Sequence, residues 1–172
     1  MKFYKKLTYK LKKDEIIQII KLKNSHWKFS FSSQLKWFRD KKNLLSTDYH
    51  FYLKKNKKII SYVHLGKRKC LIGLKKSNYI LFRTLIVAKH ERKKNLSQLI
   101  MQNVQKFIKK KNLPCFLLCK KKLIPFYMKY GFILLNKNKF ETKGHKSNLH
   151  GMIFNLSKKK FKNLLRFNYN NA

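Results

Sequence analysis

Apolar and polar positions change their period several times along the chain, and each change marks an element. The stretch "KFYKKLTY" alternates weakly and predicts a first strand. In "KDEIIQIIKLK", Ile16, Ile17, Ile19, Ile20 and Leu22 recur at helical spacing behind Asp14 and Glu15, two acids suited to the positive end of a helix dipole. A second, short helix follows within "SHWKFSFSSQLKWFRDKK", capped by Ser32 or Ser33 and carrying Leu35, Trp37 and Phe38. Two strands then flank "KKNKK", a hairpin with Asn56 at its tip. Tyr79–Lys89 ("YILFRTLIVAK") is the most apolar strand, fit for the middle of a sheet covered on both faces.

Beyond it, Leu96, Leu99, Ile100, Val104, Phe107 and Ile108 are spaced three and four apart and predict a longer amphipathic helix. "LPCFLLCK" reads as a buried strand, and "LIPFYMKYG" as a short helix ended by Gly131. "FILLNKNKF" and "HGMIFNL" give the last two strands, and the tail "SKKKFKNLLRFNYNNA" a short basic helix that frays. Neither repeat nor linker interrupts the series. The pattern therefore predicts one α/β domain over residues 1–156 and a basic tail over 157–172, in the order β-α-α-β-β-β-α-β-α-β-β.

Composition changes this picture in one respect, the partner. With 172 residues and 44% hydrophobic content the chain can bury a core, yet it carries 44 Lys+Arg against 6 Asp+Glu, a formal charge of +38. Such an excess suits a nucleic acid, an anionic membrane surface or a phosphorylated ligand. However, 39 of the 44 are Lys, scattered over every segment, as A/T-rich codons would scatter them. The shortage of acids is what codons explain least, and it leaves some preference for anions standing. No apolar run approaches 18 residues, which argues against a spanning helix. Cys70, Cys115 and Cys119 form no metal-ligand or redox pattern and are expected as buried thiols in a reducing cytoplasm; no metal is expected.

Chemistry concentrates in "VAKHERKKNLSQLIMQNVQKFIKK". A central strand that turns into a helix presents unpaired backbone N–H groups at the helix start, where the dipole favours a phosphate, and Arg92, Lys93 and Lys94 add charge. Two motifs extend the reading. The segment "VAKHERKKNLS" matches Val-x-x-x-x-Arg/Gln-x-x-Gly-x-Gly/Ala at Val87, Arg92, Asn95 and Ser97, and "FYMKYGF" supplies Phe126, Tyr127, Gly131 and Phe132 about thirty residues later. In these motifs and in element order the chain resembles the GCN5-related N-acetyltransferase (GNAT) superfamily. It departs at both signature glycines, which Asn95 and Ser97 replace. Asn is the residue next most tolerant of positive φ, and Ser is small.

The resemblance implies a mixed, mostly antiparallel, twisted sheet of about seven strands, splayed in the middle, with about four helices. It implies acetyl-CoA as cosubstrate, held by the strand end Leu85, Ile86 and Val87 and by the turn Arg92, Lys93, Lys94, Asn95, Leu96 and Ser97. A backbone N–H near Val87 would polarise the thioester carbonyl, and Tyr127 would protonate the departing thiolate. His64, alternating with Tyr62 in "SYVHLG", is the candidate base, with Glu91 and His90 as alternatives by position. Trp27 and Trp37, with His26 beside Trp27 in sequence, would line the acceptor pocket. The expected acceptor is the primary amine of a small, anionic molecule such as an amino sugar, since a cationic amine would be repelled. Two other readings stay open: a catalytically degenerate domain that binds coenzyme A without turnover, and a basic nucleic-acid-binding module whose contacts are nonspecific. A monomer and a homodimer are equally compatible with the sequence.

Overall fold

A computed structural model describes residues 1–41, 44–143, 148–157 and 162–168. Among them the chain forms nine strands and four α-helices: β1 (Lys2–Leu7), α1 (Lys13–Asn24), α2 (Phe31–Arg39), β2 (Tyr49–Lys55), β3 (Lys58–Ile72), β4 (Lys75–Val87), α3 (Leu96–Lys111), β5 (Cys115–Cys119), α4 (Ile124–Met128), β6 (Ile133–Leu134), β7 (Phe140–Lys143), β8 (His150–Phe154) and β9 (Leu165–Asn168). Hydrogen bonding orders the sheet β1-β2-β3-β4-β5-β8-β6, with β9 paired to β3 and to β7. The β4–β5 and β7–β9 ladders are parallel; β1–β2, β2–β3, β3–β9, β5–β8 and β6–β8 are antiparallel. This is the mixed, mostly antiparallel α+β class that the sequence predicts.

Three local expectations need correction. The strand expected over "FILLNKNKF" is broken by a 3-10 turn at Lys137–Lys139, which leaves β6 and β7 as separate short strands. The fraying basic helix expected in the tail is instead β9 over Leu165–Asn168. Leu165 and Phe167 alternate inward there at 1% exposure, a period-2 signal only four residues long and surrounded by lysines. Residues 158–161 and 169–172 of that tail lie outside the described residues. Finally, α2 is capped by Ser30, whose hydroxyl accepts from Ser33 N at 3.1 Å, rather than by Ser32 or Ser33.

Two compact units divide the chain. The first comprises Met1–Gly66 and Arg83–Val104, the second Lys67–Phe82 and Gln105–Ala172. In the first, the β2–β3 hairpin turns on Asn56 and Lys57, both with positive φ (46° and 63°), as a two-residue turn matched to strand twist requires. Ile19 and Ile20 of α1 are fully buried in this unit, as are Tyr52 and Val63 of the hairpin. In the second unit Phe116 of β5 stacks on Phe167 of β9 at 3.9 Å, and Tyr79 meets Phe167 edge-on while its hydroxyl donates to Asn168 O at 2.7 Å. The three cysteines are free and buried, as expected.

One carboxylate ties the first unit together. Glu15, with its side chain 3% exposed, accepts from Tyr52 Oη at 2.6 Å, Lys6 Nζ at 2.9 Å, Lys54 Nζ at 3.1 Å and Lys12 N at 3.0 Å. Burial alone would raise its pKa, but these donors hold it at about 2. A depressed carboxylate pKa contributes stability above the unfolded value, near 4.5, and loses it as pH falls toward 2. Glu15→Gln is therefore expected to cost on the order of 3 kcal/mol at pH 7 in urea unfolding, with the difference from the parent shrinking across that window. A pH-independent difference would contradict the assignment.

Candidate functional site

In the first unit β4 ends at Val87, a 3-10 turn spans Lys89–Glu91, and α3 begins at Leu96. Between them the backbone crosses into positive φ twice, at Lys93 (65°) and Asn95 (54°). Asn95 O accepts from Leu99 N at 3.1 Å, so Asn95 caps the helix with its carbonyl. Among the described residues no protein acceptor meets the backbone N–H groups of Lys93, Lys94, Asn95, Leu96 and Ser97. Consecutive amides with alternating backbone sign form an anion-binding concavity, here at the positive end of a sixteen-residue helix. The residues thus fit a diphosphate, and the glycine-like φ of Asn95 shows why Asn can stand where the motif has glycine.

Charge around this turn is arranged, not merely abundant. Glu91 is buried at 6% exposure and pairs with Lys94 at 2.9 Å and Lys55 at 3.1 Å; these two partners lower its pKa. Its negative charge is thereby neutralised beside the amides, which rules it out as a free base. Arg92 Nη2 donates to His26 Nδ1 at 3.0 Å, and burial together with Arg92 and Lys89 keeps His26 below its ordinary pKa, neutral and able to accept. His26 stacks at a tilt on Trp27, 5.6 Å between centroids, so the predicted residues Arg92 and Trp27 are joined through His26. His90 is exposed.

The strand leading in is also unusual. Thr84 has φ +61°, an uncommon conformation for a β-branched residue, three residues before β4 ends. Ile86 O accepts from Ser61 Oγ at 2.9 Å and Ala88 N donates to Ile60 O at 2.8 Å, both toward β3. Strand alternation turns the N–H of Val87 to the other edge. Leu85 and Val87 are half-buried and Ile86 buried.

Trp37 and His64 come together: their rings meet edge-on at 5.9 Å. His64 is fully buried, not facing an open cleft, with Nε2 3.1 Å from Asp48 Oδ2. Beside it His50 bonds Tyr62 Oη at 2.9 Å and Thr8 Oγ1 at 3.0 Å, and burial holds its pKa well below the ordinary value. Trp27 is 40% exposed on the α1–α2 connection. Tyr127 belongs to the second unit, where it is 7% exposed among Phe82, Phe126 and Phe132. Burial, with lesser effects of Cys119 and Cys115, raises its pKa, so the phenol keeps its proton through the neutral range. Among the described residues its hydroxyl has no hydrogen-bond partner, and no three His, Cys, Asp or Glu side chains gather as metal ligands.

The sequence profile of an acetyltransferase (GNAT) domain matches residues 21–152. The chain belongs to the GNAT family. No curated protein sequence matches it significantly. Among solved structures, this GNAT chain resembles the Escherichia coli GNAT family N-acetyltransferase YhbS in complex with CoA, with 11% identity, TM-score 0.68, and 98% of this chain and 91% of that one covered. It also resembles Escherichia coli ElaA (16% identity, TM-score 0.66, covering 88% and 97%) and the Thermoplasma acidophilum PaiA N-acetyltransferase in complex with coenzyme A (16%, 0.57, 89% and 98%). At such identities the likeness is one of fold.

Sequence reasoning missed Thr84, Asp48, the contact of His26 with Arg92 and the role of Glu91 as a neutralised neighbour. Only Glu91 carried a signal, as one of six acids. For this GNAT chain the positive φ of Asn95 makes a direct prediction. Asn95→Gly should leave the melting temperature within a degree or two, whereas Asn95→Val should destabilise by about 1–2 kcal/mol. Equal stability of the two variants would contradict the turn's geometry.

Proposed function

We propose that the protein is an N-acetyltransferase that moves an acetyl group from acetyl-CoA to the primary amine of a small, anionic acceptor, by direct attack while both are bound. The observation that carries this reading is the row of unmet amides from Lys93 to Ser97, bent by positive φ at Lys93 and Asn95. Those amides, with Arg92, hold the pyrophosphate. Leu85 and Val87 present backbone groups to the pantetheine arm, with Ile86 between them held by Ser61 Oγ on its carbonyl, and Val87 N–H stabilises the oxyanion; loss of one such donor costs about 3 kcal/mol of barrier.

The amine nitrogen attacks the thioester carbonyl carbon, the C–S bond breaks, and the sulfur leaves as a thiolate that needs a proton, the role the motif "FYMKYGF" assigns to Tyr127. Tyr127 suits that role because burial keeps its proton in place and, among the described residues, no protein group claims it. His64, oriented by Asp48, takes the proton that the attacking ammonium must lose. Trp37 beside it, and Trp27 beyond His26, line the acceptor's approach.

Two assays test the proposal. Acetyl-CoA at about 100 times its Kd should stabilise the protein by roughly 2.7 kcal/mol, and unchanged melting would favour the nucleic-acid reading, whose affinity collapses as salt rises. In a thiol-release assay, Tyr127→Phe should lower kcat about a hundredfold with little change in KM, and His64→Gln should flatten the acidic limb of the pH profile. Cofactor binding without thiol release across all amine acceptors would mark a degenerate domain, for which the substitution of both signature glycines by Asn95 and Ser97 is the supporting feature.

A further inference from the structure

Lysine makes up 39 of the 172 residues, yet among the described residues Lys23 alone of the lysines is buried, at 7% exposure. Codon bias scatters ammonium groups over a surface, where water keeps solvating them. It does not account for one withdrawn from water, because desolvating an ion costs several kcal/mol even after relaxation. A cation–π contact offsets only about 2 kcal/mol of that.

The surroundings of Lys23 make the cost plain. Its Nζ lies 4.1 Å from the centroid of Trp37 and 5.6 Å from that of Phe38, both on α2. No carboxylate pairs with it among the described residues. The neighbouring acid, Asp48, faces His64 Nε2 and Leu45 N. Arg83 on β4 adds a second positive charge, and His50 also feels Lys23. Burial, with Arg83, lowers the Lys23 pKa to about 8. One turn before Trp37 and Phe38, on the same face of α2, Gln34 is 7% exposed and its Oε1 meets no donor. A buried cation without an anion and a buried acceptor without a donor therefore belong to one cluster, flanked by a half-exposed indole that touches His64.

We propose that Lys23 is the anion-binding residue of the acceptor site, and that the acceptor is a small amino carboxylate whose carboxylate is held by Lys23 Nζ beside Trp37. The anion is a carboxylate because the cation set against the Trp37 ring is one ammonium, which matches a monoanion, while Arg83 acts on Lys23 through its charge. A phosphate dianion would meet a desolvation penalty growing as the square of its charge, with too few donors to offset it. A nucleic-acid backbone cannot reach an ammonium this far inside. The word "acceptor" rests on the acetyltransferase reading; the carboxylate site does not.

The test is an NMR titration of the Trp37 indole N–H signal with glycine, β-alanine, glutamate and phenylalanine, each against its own amide, and with inorganic phosphate. At least one carboxylate should shift the signal saturably while its amide does not. Lys23→Met should weaken that response about tenfold to a hundredfold and Lys23→Arg should largely preserve it. Without ligand, Lys23→Met should melt no lower than the parent, since an apolar side chain replaces a buried charge. Affinity should fall as pH rises through about 8, where Lys23 loses its proton while Arg83 stays charged. No saturable carboxylate response, an equal response in Lys23→Met, or a stronger response to phosphate would overturn the proposal. Each of these leaves the acetyltransferase reading intact if acetyl-CoA still binds, and carboxylate binding without acetyl-CoA binding would do the reverse.

Discussion

A backbone N–H deprived of an acceptor costs free energy wherever water cannot reach it, so a fold that leaves several of them pointing one way has prepared a place for an anion. The start of α3 is such a place. Its first amides have no intrahelical partner by geometry, and the two sign reversals at Lys93 and Asn95 extend that row backward into the turn. The neighbouring features are consistent with this constraint. Thr84 takes positive φ before the turn, Ala88 anchors the chain to Ile60, and Glu91 is cancelled by Lys55 and Lys94 so that it does not oppose an incoming negative charge.

Electrostatics divides the chain's many charges into two kinds. Most lysines are exposed and interact weakly with one another through water and salt. The six acids are too few to be spent at random: among the described residues Glu15 pairs with Lys6 and Lys54, Glu91 with Lys55 and Lys94, and Glu141 with Arg166, while Asp48 meets the His64 ring.

Long apolar periods carried the fold. Ile16 to Leu22 placed α1, Leu96 to Ile108 placed α3, and the apolar run of β4, broken only at Arg83 and Thr84, placed the centre of the sheet. Short elements did not survive the lysine background: β9 alternates over only four residues, and the Ser30 cap competes with Ser32 and Ser33 within the same four positions. The turn was legible because motif spacing survives even when its glycines do not. Thr84 was not, since nothing in a β-branched residue announces positive φ. The Asp48–His64 and Lys23–Trp37 pairs join residues 16 and 14 positions apart in different elements, a juxtaposition that only tertiary packing creates.

The most direct measurement follows the backbone amides of the turn themselves, by 15N-resolved NMR during titration with coenzyme A at moderate salt. The account predicts that the N–H signals of Lys93 to Ser97 shift together, and more than any others, with one saturation curve shared with Leu85 and Val87. Saturable binding that leaves those amides unmoved would contradict it, because the anion would then be held by scattered lysines and not by the main chain.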